Sequence, residues 1–99
     1  MNIKVTENEK ECILAIEGRV DTMTAPQLEE AVAEHADSCD KMIIDLSDTE
    51  YISSAGLRVV LIAHREMEKK GGLILRHPSK NVASVFKMTG FSRSLCIEE

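Results

Sequence analysis

The chain has no tryptophan, one tyrosine (Tyr51) and only two phenylalanines (Phe86 and Phe91) in 99 residues. A surface that stacks nucleic-acid bases needs aromatic faces, and this sequence has almost none to offer. Positive charge is also short. Lys and Arg number 12 against 17 Asp and Glu, for a formal net charge of −5, which repels a phosphate backbone. The three cysteines, Cys12, Cys39 and Cys96, are odd in number and form no C-x-x-C spacing, so neither a disulfide framework nor a zinc site is expected. No apolar run approaches the roughly 20 residues of a membrane span, and the N-terminus lacks the apolar segment of a signal peptide. These absences lead to an expectation of a cytoplasmic protein in a reducing compartment, with no nucleic-acid or membrane partner, no metal and no cofactor. Repeats, low-complexity tracts and linkers are missing too, so residues 1–99 are expected to form one domain.

What remains is a globular mixture, 43% hydrophobic and 29% charged. With so few aromatics, the core must be built from Ile, Leu, Val, Met and Ala. Charge is unevenly placed: residues 1–49 hold 12 acidic against 4 basic residues, and residues 50–99 hold 5 against 8.

Ile3 and Val5 alternate with polar neighbours, and Glu7-Asn8-Glu9-Lys10 reads as a hairpin connection into Cys12-Ile13-Leu14-Ala15-Ile16, ended by Gly18. Thr24-Ala25-Pro26-Gln27 has the spacing of a capping box with proline in the first turn, and Leu28, Ala31, Val32 and His35 continue at helical period. His35 reads as a helix-end histidine, because no metal partner stands four residues away. Met42-Ile43-Ile44 is a continuous apolar run, the pattern of a central strand covered on both faces. A second helix is predicted over 55–70, a strand at Leu73-Ile74-Leu75, a third helix through Val82, Val85 and Phe86 to Gly90, and an edge strand at Leu95-Cys96-Ile97. The order β-β-α-β-α-β-α-β predicts an α/β fold, a mixed sheet of about 4–5 strands with helices packed on it.

The most informative stretch runs from Ile43 to Leu61, where a strand leads through a loop to serines at a helix start. Such a position lies on the carboxyl edge of the sheet, where α/β folds place ligands and partners. The first-turn N–H groups near Ala55, Gly56 and Leu57 lack intrahelical acceptors, so a phosphate on Ser54 would meet donors and the positive end of the helix dipole. Arg58 follows one turn later. Serine is also the ordinary N-cap of a helix, and by spacing alone Ser53 or Ser54 reads as that cap, since capping serines are far commoner than regulatory ones. A hydrolytic serine is not indicated. There is no G-x-S-x-G elbow, His64 lies about 15 Å down the same helix, and His77 has no orienting group or oxyanion motif beside it.

Gly18-Arg19-Val20-Asp21, Ala25-Pro26-Gln27-Leu28 and Ile44-Asp45-Leu46 through Tyr51-Ile52-Ser53-Ser54-Ala55-Gly56-Leu57 together resemble the STAS family, nearly end to end. That family includes bacterial anti-sigma-factor antagonists, stressosome-type signalling proteins and the cytoplasmic ends of anion transporters. The resemblance implies a STAS fold and a non-enzymatic binding module. It implies that Ser54 is phosphorylated by a serine-kinase anti-sigma factor and reset by a metal-dependent serine phosphatase, with a sigma factor released when the unphosphorylated chain binds the kinase. Gly56 and Leu57 take the place of the family's helix-opening pair, and Asp21 that of its acidic loop residue facing the serine. The family's usual acidic residue before the phosphoacceptor is Ser53 here. The implied partner surface comprises Asp21, Thr24, Ser53, Ser54, Ala55, Gly56, Leu57 and Arg58. The alternatives are a nucleotide- or anion-sensing module, which the free helix terminus suits although no P-loop is present, and a scaffold subunit of a signalling or transport complex.

Overall fold

In the computed structural model, which describes residues 1–98, the chain begins with a hairpin of strands β1 (Asn2–Asn8) and β2 (Glu11–Val20), paired antiparallel from Asn2↔Glu17 to Asn8↔Glu11. Helix α1 (Ala25–Ala36), strand β3 (Lys41–Asp45) and strand β4 (Thr49–Ile52) follow. Helix α2 (Ser54–Glu68), strand β5 (Leu73–Arg76), helix α3 (Lys80–Thr89), the single turn α4 (Phe91–Ser94) and strand β6 (Ile97–Glu98) complete the described residues. The sheet runs β1-β2-β3-β5-β6, with every pair after the first hairpin parallel, and β4 also pairs with β2.

Two expectations need correction. The segment 49–52 was expected as loop, yet it forms β4. Its signal is weak because it is four residues long and only Thr49 and Ile52 are buried. Thr49 is the buried polar residue of the core, and its hydroxyl donates to the Ile16 carbonyl at 2.8 Å. The last strand also starts two residues later than expected. Residues 91–94 turn helical first, and Cys96 contributes only its carbonyl, which accepts from the Leu75 N–H.

Strand β2 pairs with two strands in succession because of Gly18. At φ +101 it takes up a conformation that favours glycine, and the register between β2 and β4 shifts there. Residues before it pair with β3, and those after it with β4. This bend carries the end of β2 away from the main sheet and toward the start of α2.

The core lies on one face of the sheet. Cys12, Leu14 and Ile16 of β2, Met42 and Ile44 of β3, and Leu73 and Leu75 of β5 join the buried stripes of the helices. Ile43 is 2% exposed but stands outside that cluster. Its register partners Ile13 and Ile74 flank it on the opposite face, so side-by-side packing within the sheet, not a second helical layer, accounts for the continuous apolar run. Met42, Ile43 and Ile44 are all buried, so both faces of β3 are covered, as the continuous apolar run predicts. Two of the three thiols, Cys12 and Cys39, are buried side by side. Burial above all, together with Cys12 alongside, pushes the Cys39 thiol up to about 12.

Candidate functional site

The carboxyl ends of β2 and β4 form one rim. Val20 pairs with Ile52, and the next N–H, that of Ser53, donates to the Val20 carbonyl at 2.8 Å. Asp21 and Ser53 therefore leave the sheet side by side, one toward α1 and the other toward α2. Gly56 seals this junction. A Cβ placed on it would come within 2.7 Å of Val20 Cγ1 and of Ile52 Cγ1, so the helix reaches the sheet this closely only because residue 56 has no side chain.

The two serines at the start of α2 have separate tasks. Ser53 is the N-cap, with extended backbone and a hydroxyl that accepts from the Gly56 N–H at 3.3 Å. Its carbonyl accepts from the Leu57 N–H at 2.9 Å. The sequence expectation that the amides of Ala55, Gly56 and Leu57 would be open is thereby narrowed, because Gly56 and Leu57 are already satisfied. The N–H groups of Ser54 and Ala55 are the first-turn donors left. Ser54 follows the cap as the first helical residue and is exposed, and its hydroxyl has no partner among the described hydrogen bonds. Capping and exposure to chemistry are thus divided between neighbours.

On the facing side, Asp21 organises the approach to α1. Its Oδ1 accepts from the N–H of Met23 at 3.0 Å and of Thr24 at 3.1 Å, and the Thr24 hydroxyl lies 3.2 Å away. These bonds, led by that from the Thr24 amide, hold the carboxyl below its ordinary range. The capping box expected at Thr24 and Gln27 does not form. The Thr24 hydroxyl turns back into the loop, accepting from the Asp21 N–H at 2.9 Å and donating to the Arg19 carbonyl at 2.9 Å. Asp21 thus acts as a turn former, and the loop it fixes presents Met23 to solvent, 86% exposed.

Between the two helices lies a shallow groove of about 270 Å³, lined by Thr22, Pro26 and Glu29 on one side and by Ala55, Arg58 and Ile62 on the other. Arg58 is exposed and half-buried Ala55 lines the groove, whereas Gly56 and Leu57 are buried. These last two support the rim from beneath and offer no side chain at its surface. Two features escaped sequence reasoning. Met23 is an apolar side chain in an otherwise polar loop, a signal that was available in the sequence. Arg19 stacks over Tyr51, 4.5 Å from the ring centroid, and that pairing depends on a register set by the bulge at Gly18.

No described hydrogen bond joins Ser54 to a histidine. His64 Nε2 lies 3.5 Å from Glu68 Oε2, and His77 is exposed beyond the end of β5. No helix of the described residues is long and apolar enough to cross a membrane.

Known proteins share this fold and family. The STAS domain model matches residues 2–99. BtrV of Bordetella bronchiseptica, provisionally named an anti-sigma factor antagonist, is 37% identical over 81 residues, covering 80% of this chain and 70% of BtrV. The anti-sigma-B factor antagonist of Bacillus subtilis is 32% identical over 91 residues, covering 91% of this chain and 84% of its own. The crystal structure of an anti-sigma factor antagonist from Mycobacterium paratuberculosis aligns with a TM-score of 0.88 at 26% identity, covering 98% of this chain and 84% of that one.

Proposed function

The chain belongs to the STAS domain family, and we propose that it acts as an anti-sigma-factor antagonist whose grip on its partner is set by the charge on Ser54. The partner is a serine-kinase anti-sigma factor. Binding of the unphosphorylated chain frees a sigma factor, transfer of phosphate to Ser54 ends the association, and a metal-dependent serine phosphatase restores it. All of this takes place in the cytoplasm.

The observation that carries this reading is the division of labour at the start of α2, where Ser53 caps the helix and Ser54 remains exposed. A phosphate adds about −1.5 to −2 charges. At this position the remaining first-turn donors and the helix dipole offset it, contributing roughly 0.3–1 kcal/mol, so the fold tolerates the modification. A partner packed over the rim meets that charge where water has been excluded, and it must be desolvated or repelled. The switch therefore operates through interface electrostatics, with Met23 as an apolar contact and Arg58 as the cation beside the serine. Ser53 at the place of the family's acidic residue takes away one negative charge next to the phosphoacceptor and supplies the cap instead.

The test compares two variants with the parent chain in binding to the cognate kinase. Ser54→Ala retains binding and takes up no phosphate. Ser54→Asp loses roughly 2–5 kcal/mol of affinity, about thirtyfold or more. Equal affinity of the two variants, or mass-spectrometric mapping that finds the phosphate on another serine, overturns the assignment.

A further inference from the structure

Far from Ser54, at the opposite end of β2, three metal-binding side chains converge from three different elements. Glu7 stands near the end of β1, Cys12 near the start of β2, and His35 in the last turn of α1. One ligand atom of each lies within 4.8 Å of the others. We propose that Glu7, Cys12 and His35 form a binding site for a zinc-class divalent cation.

The ordinary reading of these residues is a surface ion pair beside a core cysteine. His35 Nδ1 lies 3.1 Å from Glu7 Oε1, which a shared proton satisfies. The Cys12 thiol donates weakly to the His35 carbonyl, with Sγ 3.9 Å from the oxygen, which sets the sulfur at the end of α1 beside that histidine. Cys12 is 1% exposed, yet its sulfur sits within reach of a carboxylate and an imidazole, an oxygen, nitrogen and sulfur set that suits zinc and does not suit calcium or magnesium. With three protein donors, a water fills the fourth position of a tetrahedron.

The geometry needs little adjustment. With metal–ligand bonds of about 2.0–2.3 Å, tetrahedral donors stand about 3.3–3.8 Å apart. The carboxylate and imidazole, 3.1 Å apart, stand slightly inside that range, and the 4.8 Å within which all three donors lie leaves at most about 1 Å to close. The gap therefore lies toward Cys12, and rotation of the paired Glu7 and His35 side chains, 54% and 16% exposed, closes it. The surroundings favour a cation. His35 lies at the negative end of the α1 dipole, and the surface pocket that opens beside it is lined by Glu30 and Glu34. On the other side, the Lys70 ammonium donates to the carbonyls of Ala36 and Cys39, fixing the loop that follows α1. Sequence spacing hides such a site because the donors come from a hairpin and a helix end, not from one short motif.

The test uses the full chain, stripped with chelator and titrated with zinc chloride by calorimetry and with cobalt(II) by absorption. The expected result is one equivalent bound at micromolar or tighter affinity, with a thiolate-to-cobalt charge-transfer band and a raised melting temperature. Magnesium and calcium leave the melting temperature unchanged. Glu7→Gln and His35→Ala each weaken zinc binding by about tenfold or more, Cys12→Ala removes the charge-transfer band, and Cys96→Ser leaves uptake intact. Glu7 is exposed and His35 is half-buried at a helix end, so their variants decide the matter even if Cys12→Ala fails to fold. Absence of uptake in excess zinc overturns the proposal. So does uptake unaffected in the Glu7→Gln/His35→Ala double variant, or uptake lost with Cys96→Ser. Because the site is remote from the rim, failure here leaves the Ser54 assignment standing.

Discussion

Helices α2 and α3 begin in the same way, and only one of them begins with a free hydroxyl. Each is capped by a serine with extended backbone whose oxygen accepts from the amide three residues on: Ser53 from Gly56 at 3.3 Å and Ser79 from Val82 at 3.4 Å. At α3 the cap is also tied to the sheet. The Ser79 hydroxyl donates to the Thr49 carbonyl at 2.5 Å, its N–H donates to the Leu46 carbonyl at 3.3 Å, and the next residue is Lys80. At α2 the cap is followed by a second serine that carries no structural duty. The difference teaches that a serine at a helix start is a candidate for modification when its neighbour has taken over the capping. The third position separates the two helices further. Gly56 is bare so that α2 can press against Val20 and Ile52, whereas Val82 fills the core with its own side chain.

The contrast can be broken most severely at Gly56. Gly56→Ala puts a methyl group 2.7 Å from two core carbons, and denaturant unfolding is expected to show a loss of about 1–3 kcal/mol as α2 is pushed off the sheet. Next in size is Ser79→Ala, which removes a cap and leaves the Thr49 carbonyl without its donor. Chemical denaturation should register about 1–2 kcal/mol, more than the roughly 1 kcal/mol expected for Ser53→Ala, which removes a cap alone. Ser54→Ala sharpens the comparison from the other side. Its stability should stay within about 0.5 kcal/mol of the parent, and a larger loss would mean that Ser54 is structural after all.

The smallest effect concerns acid. The Asp21 carboxyl is depressed below its ordinary value of 3.8 in the folded chain by the bonds from Thr24 and Met23. A depressed carboxyl contributes its stabilisation above the unfolded value and loses it as pH falls through the folded one. Protection of the Met23 and Thr24 amides, taken relative to the intrinsic exchange rate at each pH, should therefore be full at neutral pH and fall below about 3.8, while the Ser79 cap, which has no titrating group, stays protected. Asp21→Asn, which keeps an acceptor oxygen but has no proton to gain, should abolish that pH dependence.

Much of this was open to sequence reasoning, and the exceptions share a cause. The strands around Ile13, Ile44 and Leu75, the three long helices and the two serines at the start of α2 follow from local pattern, because period, capping residues and glycine breaks act within a few residues. Strand β4 was missed because four residues with two buried positions carry too little period to register. Local pattern did not choose which of Ser53 and Ser54 caps, since both residues have the chemistry for either role, and Ser54 was singled out by the family resemblance alone.

Sequence alone settled the α/β class, the order of the main elements and the place of two serines at the start of α2, all of which rest on local propensity and burial pattern. Tertiary structure decided what depends on distance through space. The bend at Gly18 turned β2 toward β4, the pairing of Val20 with Ile52 set the Asp21 loop beside Ser53, and the fold brought Glu7, Cys12 and His35 together from β1, β2 and α1. Such contacts join residues remote in the chain, and only the closing of the core fixes their separation.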